Sequence, residues 1–109
     1  MNGEPEDRIA LNEMTARRIN EAIESGNRPQ DVHYELAFRC ECGRFGCNQM
    51  LGVALGDYER VRANPRRFVV APGHEDPEIE TVVHGARGYN VVEKHDAAGE
   101  AAEEADPRS

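Results

Sequence analysis

The sequence predicts a small α+β domain in which an N-terminal amphipathic helix covers a mostly antiparallel sheet, with a short second helix between strands. Three observations carry that class. Apolar residues recur at helical spacing over residues 8–26, short alternating or β-branched runs recur between 33 and 95, and all three cysteines fall between Cys40 and Cys47. In a chain of 109 residues the ends thin out into acidic segments, so the core is small and gains from a staple.

Taken in order, Met1 to Asp7 is acidic and short of apolar groups, and it is expected to be disordered. Over 8–26, Ile9, Leu11, Met14, Ala16, Ile19, Ala22 and Ile23 share one side when wound at about 100° per residue, with Glu13, Arg17, Glu21 and Glu24 opposite. The expected use of this stripe is packing on its own domain, and the alternative is a homodimer contact. Ser25-Gly26-Asn27 closes the helix, and Arg28-Pro29-Gln30-Asp31 reads as a linker.

His33 to Cys40 alternates, with Tyr34, Leu36, Phe38 and Cys40 on one face, which is the pattern of a half-buried strand. Met50 to Leu55 is a second strand, and Gly56 to Arg62 a short helix stopped at Asn64-Pro65. Phe68 to Ala71 is a third strand, ended by Pro72-Gly73. Asp76-Pro77-Glu78 resembles a helix start, yet Thr81-Val82-Val83 and Tyr89 to Val92 flank Gly85-Ala86-Arg87-Gly88 like a hairpin. The hairpin is favoured, because β-branched residues dominate both arms. Residues 96–109 hold Asp, Ala and Glu with few large apolar groups and are expected to form a disordered acidic tail.

The chemistry concentrates in Phe38-Arg39-Cys40-Glu41-Cys42-Gly43-Arg44-Phe45-Gly46-Cys47 and in Pro72-Gly73-His74. Cys40 and Cys42 share one side of an extended chain, and Gly43 and Gly46 let the backbone curl so that Cys47 returns to the same centre. A histidine after a Pro-Gly turn at a strand end can supply a fourth donor. Cys40, Cys42, Cys47 and His74 are therefore the expected ligands of a structural Zn²⁺. His84, His33 and His95 are weaker alternatives for the fourth place, as is a water. With water there, Glu75 becomes a candidate general base for zinc-assisted hydrolysis. Oxidation of the thiolates, releasing the metal, makes a redox sensor the other rival.

Three clustered cysteines in an acidic chain point to a reducing, cytoplasmic compartment. Neither a secretory leader nor an apolar run near the roughly 20 residues of a membrane span is read in the sequence. The net charge of −8 is concentrated at the ends, since residues 33–95 carry nine acids against eight bases. Arg60, Arg62, Arg66 and Arg67, with Arg44 nearby, form the one basic cluster, expected to be a solvated, ion-paired face. Binding to nucleic acid is disfavoured, because affinity for phosphates comes from counterions displaced by Lys and Arg. Tyr58 and Tyr89 are expected in the core or at its rim.

The order Phe-x-Cys-x-Cys, a third Cys, Tyr58 to Arg62, Pro65 to His74, Tyr89 to Lys94 and Asp106 to Arg108 resembles a family of short actinobacterial proteins over about residues 36–108. Those relatives carry Glu after Val-Val where this chain has His84, which favours His74 over His84 as the ligand. The resemblance implies a bacterial, cytoplasmic protein and carries no activity with it. From the residues, the expected role is a non-catalytic binding or regulatory module with a protein partner.

Overall fold

The computed structural model describes residues 5–27 and 31–108, with side chains from Arg8 onward. Helix α1 spans Pro5–Gly26. Two strands follow, β1 (Glu35–Arg39) and β2 (Met50–Ala54), then helix α2 (Leu55–Arg62). The second half contains β3 (Arg67–Val70), β4 (Glu80–Ala86), β5 (Tyr89–Lys94) and helix α3 (Asp96–Glu104). The α+β class is as expected.

The antiparallel strands divide into two sheets rather than one. β1 pairs with β2 in a register that sets Leu36 opposite Val53 and Phe38 opposite Leu51, while the second sheet has the order β3-β5-β4. Beyond Arg39 the chain leaves its partner strand for the cysteine loop, and a backbone bond from Glu41 N–H to the Val69 carbonyl (2.7 Å) links the loop to β3. The favoured hairpin is present. Ala86 pairs with Tyr89 across a two-residue turn, Arg87-Gly88, in which Gly88 takes φ +87°, a conformation that costs glycine little. A register shift between Val82 and His84 places a bulge in β4.

Between the sheets and α2 lies a core of Phe38, Val53, Tyr58, Phe68, Val69, Val70 and Val92, all essentially inaccessible. Phe38 and Tyr58 stack with ring centroids 4.2 Å apart. α2 contributes Leu55, Tyr58 and Val61 to this core, so both predicted tyrosines are placed as expected, Tyr89 also being buried.

Three expectations are corrected. The helix begins earlier than residue 8, so residues 5–7 of the segment expected to be disordered are helical; a proline at the first helical position suits this start, since its missing N–H is unpaired there anyway. Residues 1–4 of that segment, and Arg28 to Gln30 of the linker, lie outside the described residues.

The packed face of α1 is also different. Met14 and Ala16 are buried and Ile23 lies against the core, but Leu11 is 67% exposed, and Glu13, Arg17, Asn20 and Glu24 turn inward. They are stabilised by specific partners. Lys94 Nζ donates to both Glu13 and Glu80, and Arg17 lies over the Phe68 ring, 3.6 Å from its centroid, while donating to the carbonyls of Pro65 and Arg67. Asn20 accepts from Arg39 N–H (2.7 Å) and donates to the Arg39 carbonyl (2.8 Å). A buried polar stripe whose side chains find such partners can hold a helix as an apolar one does.

Third, the tail folds. Asp96, with φ +53°, turns the chain out of β5 and into α3, whose Gly99 and Ala102 are buried. Composition alone suggested too little apolar bulk, but the helix packs through small residues. A Cβ on Gly99 would lie 2.4 Å from Arg66 Nη1, so glycine lets the helix settle on that guanidinium. Ion pairs Arg66–Glu103 (2.9 Å) and Arg62–Asp106 (2.5 Å) fasten its C-terminal end. No described helix is long and apolar enough to cross a membrane.

Candidate metal centre

Each half of the fold delivers part of one cluster. Cys40 leaves the end of β1, its N–H bonded to the Gln49 carbonyl (2.8 Å), and Cys42 lies two residues on along the same side of the extended chain. Cys47 closes a turn from Arg44 (3.2 Å) in which Gly46 has φ +77°. His74 closes another, from Ala71 (2.9 Å), in which Pro72 and Gly73 (φ +90°) take the central positions. Proline followed by glycine with positive φ is the sequence requirement of a type II turn. Two glycine-bearing turns thus aim two donors at one point.

The Sγ atoms of Cys40, Cys42 and Cys47 lie 3.6, 3.5 and 3.7 Å from His74 Nδ1. Ordinary metal–sulfur and metal–nitrogen lengths around a tetrahedral ion give an S···N edge of about 3.6 Å. All four donor atoms fall within 4.8 Å of one another, and no other such group of His, Cys, Asp or Glu occurs among the described residues. The three thiols are free of disulfides. Cys40 and Cys42 are buried, and Cys47 and His74 are half-buried. The donor set fits a metal ion, and the cluster joins the loop of the first sheet to the end of β3 in the second.

A second layer orients the donors. Ala71 N–H donates to Cys40 Sγ (3.1 Å), and the Arg44 guanidinium donates to the Gly73 carbonyl (2.7 Å), tying the cysteine loop to the histidine turn. Glu75 accepts from Gly73 N–H (3.1 Å) and from the Asn90 amide, whose hydrogen bond holds its carboxyl below the usual range. The thiols of Cys40 and Cys42 titrate as a pair. A hydrogen bond from Cys40 stabilises the Cys42 thiolate, lowering it to about 4, while the same bond and then burial push Cys40 up.

Sequence reasoning missed Glu41. Because side chains alternate, the residue between two ligands must point away from the metal, and here that direction is the core. The fully buried carboxylate accepts from Tyr58 Oη (2.8 Å), Asn20 Nδ2 (2.9 Å) and Val69 N–H (3.1 Å), and it faces Arg17 at 3.7 Å. It thereby ties α1, α2 and β3 to the metal loop. The alternation of Cys-x-Cys was the available signal.

Gly43 also acts differently from expectation. Its φ is not positive; instead, a Cβ there would lie 2.2 Å from Ile9 Cγ2, so glycine admits the close approach of α1. Asn12 Nδ2 adds a bond to the Gly43 carbonyl (3.0 Å).

The other histidines stay apart from the cluster: His84 is exposed on β4, His33 is exposed near β1, and His95 lies beside Asp96. The expected basic cluster is dispersed into ion pairs. Arg60 meets Asp57, Arg66 meets Glu103, Arg67 meets Glu93, and the Arg62 side chain is buried between Glu21 and Asp106. No family model, curated protein or solved structure matches the chain.

Proposed function

We propose that this is a small zinc-binding protein whose metal is structural and which acts as a non-catalytic binding or regulatory module for a protein partner. The observation that carries the reading is the convergence of three cysteine sulfurs on His74 Nδ1 at 3.5–3.7 Å. Thiolate with imidazole is a donor set that suits Zn²⁺, and four protein donors leave no open position for water or substrate. Glu75, the base a hydrolase would need, is engaged by Gly73 and Asn90, which favours the non-catalytic reading. Three unpaired thiols support a reducing, cytoplasmic setting.

The test is elemental analysis of protein purified without added metal, together with thermal melts before and after a chelator. About one zinc per chain and a clear fall in Tm on chelation are expected, because metal binding here is also folding energy. Well under half an equivalent would overturn the reading. A redox sensor is the second reading, favoured by a cleft of about 100 Å³ lined by all three cysteines. Zinc release under mild peroxide, reversed by thiol, is its signature.

A further inference from the structure

Ile9 and Met14 of α1, Ile79 of the turn before β4, and Ala98, Ala101 and Ala105 at the C-terminal end of the chain face one another across an apolar groove of about 470 Å³. Ligand-sized concavities fall in this volume range. Met14 and Ala102 belong to the core and form the floor of the groove. α3 uses Gly99 and Ala102 to pack on the body, and its remaining alanines leave the wall low.

Charge identifies the occupant. Asp76 and Glu78 stand on the lip, Glu13 also lines the groove, and Glu100 and Glu104 are exposed elsewhere on α3. Around an apolar floor, then, the rim is acidic, on a chain of net charge −8. A second copy would bring the same charge to the same place. A cationic segment would be drawn in and would pair with the lip once seated.

We propose that this groove docks a basic amphipathic helix of another protein, apolar side chains inward and Lys or Arg against the acidic rim. The inference rests on the reading of the chain as a metal-stapled binding module, since the lip is an extension of the metal centre. His74 lies two residues before Asp76, and Asp76 N–H is held by Glu80 (2.8 Å). Metal at His74 fixes the start of the lip, and α1 reaches the metal loop through Ile9 and Gly43.

The test uses full-length, zinc-loaded protein and a synthetic Leu/Lys amphipathic helix, followed by amide chemical shifts and calorimetry. Saturable binding is expected, with shifts concentrated at Ile9, Ile79 and Ala101. A peptide with the same leucines but Glu for Lys should bind at least about tenfold more weakly. Ala101→Lys, at an exposed position in the groove, should weaken the cationic peptide about tenfold while leaving Tm and zinc content unchanged. No binding, binding indifferent to peptide charge, or equal binding to Ala101→Lys would overturn the proposal. So would a dimer in sedimentation that Ala101→Lys dissolves, or groove shifts produced by deleting residues 1–4, since either assigns the groove to this chain's own segments. Zinc content is read on the same samples. Peptide binding by protein lacking zinc would overturn the metal reading alone, and zinc-loaded protein that ignores the peptide would overturn the groove alone.

Discussion

Glu41 connects the metal loop to three other elements, and its removal should cost more than the loss of any single exposed ion pair. Glu41→Ala strips a partner from Tyr58, Asn20 and Val69 N–H and leaves the Arg17 guanidinium buried without its carboxylate. Orphaned buried donors and an uncompensated buried charge put the loss at about 3–5 kcal/mol, read by urea denaturation in excess zinc. A loss under about 1 kcal/mol, the range of exposed pairs, would show that Glu41 is not the connector described. At the ligands themselves, Cys42→Ser should release zinc and lower Tm, whereas His84→Ala, on an exposed strand position, should leave both near wild type. Equal melting of the two variants would overturn the ligand assignment. The grouping of Cys40, Cys42, Cys47 and His74 was legible in the sequence because clustered thiols and a Pro-Gly turn are local features. Glu41 was not, since its value depends on donors from residues 20, 58 and 69 that only the fold assembles.

At the scale of elements, strands were legible where alternation or β-branching marked them, as in β1, β2 and the β4–β5 hairpin, although Val82 and Val83 of β4 are exposed. Helix α1 was legible as a helix but not in its packed face, and α3 was not legible, for opposite physical reasons. α1 buries Glu13, Arg17, Asn20 and Glu24, whose partners include residues as distant as Lys94, so local periodicity pointed to a face that is partly exposed. α3 packs through a glycine and an alanine, residues that a count of large apolar groups overlooks. Deleting residues 96–109 is therefore expected to destabilise the domain rather than remove a passive tail. Arg66 loses Glu103 and the cover of Gly99, and the buried Arg62 loses Asp106 and is left with Glu21 alone, at a cost for Arg62 of about 1–3 kcal/mol. The denaturation midpoint of the truncated protein measures this, and a midpoint equal to that of the full chain would show α3 to be dispensable. Gly43→Ala tests the other helix. Its added methyl meets Ile9 backbone and side chain within 3.1 Å, so a loss of about 1–3 kcal/mol is expected from overpacking.

For the whole molecule, an excess of carboxylates over Lys and Arg leaves one buried site with two acids for one base. Glu13 of α1, Glu80 of β4 and Lys94 of β5 meet with all three side chains almost inaccessible, and the trio carries a net negative charge when both acids are ionised. Burial raises Glu13 from its ordinary 4.5 to about 7; Lys94 and Arg17 oppose the rise, and Glu80 adds to it. Between those two values the folded chain holds a proton that the unfolded chain has released. The stability contributed by this proton is fully present below about 4.5 and is lost as pH rises through about 7, a decline of about 1–3 kcal/mol for so coupled a trio. Glu75 and Asp106, whose pKa values are lowered, act in the opposite sense: their contribution is present above their unfolded values and lost in acid. Their losses fall in a more acidic window, where protons also begin to compete with any metal for the thiolates. Melts of zinc-saturated protein from about pH 5.5 to 8 isolate the Glu13 window. Wild type should lose stability across that range, and Glu13→Gln, which keeps the shape and removes the titrating proton, should flatten the slope while Lys94 retains Glu80. A decline of the same steepness in Glu13→Gln would assign the pH dependence to another group and show that Glu13 is ionised in the fold throughout the range.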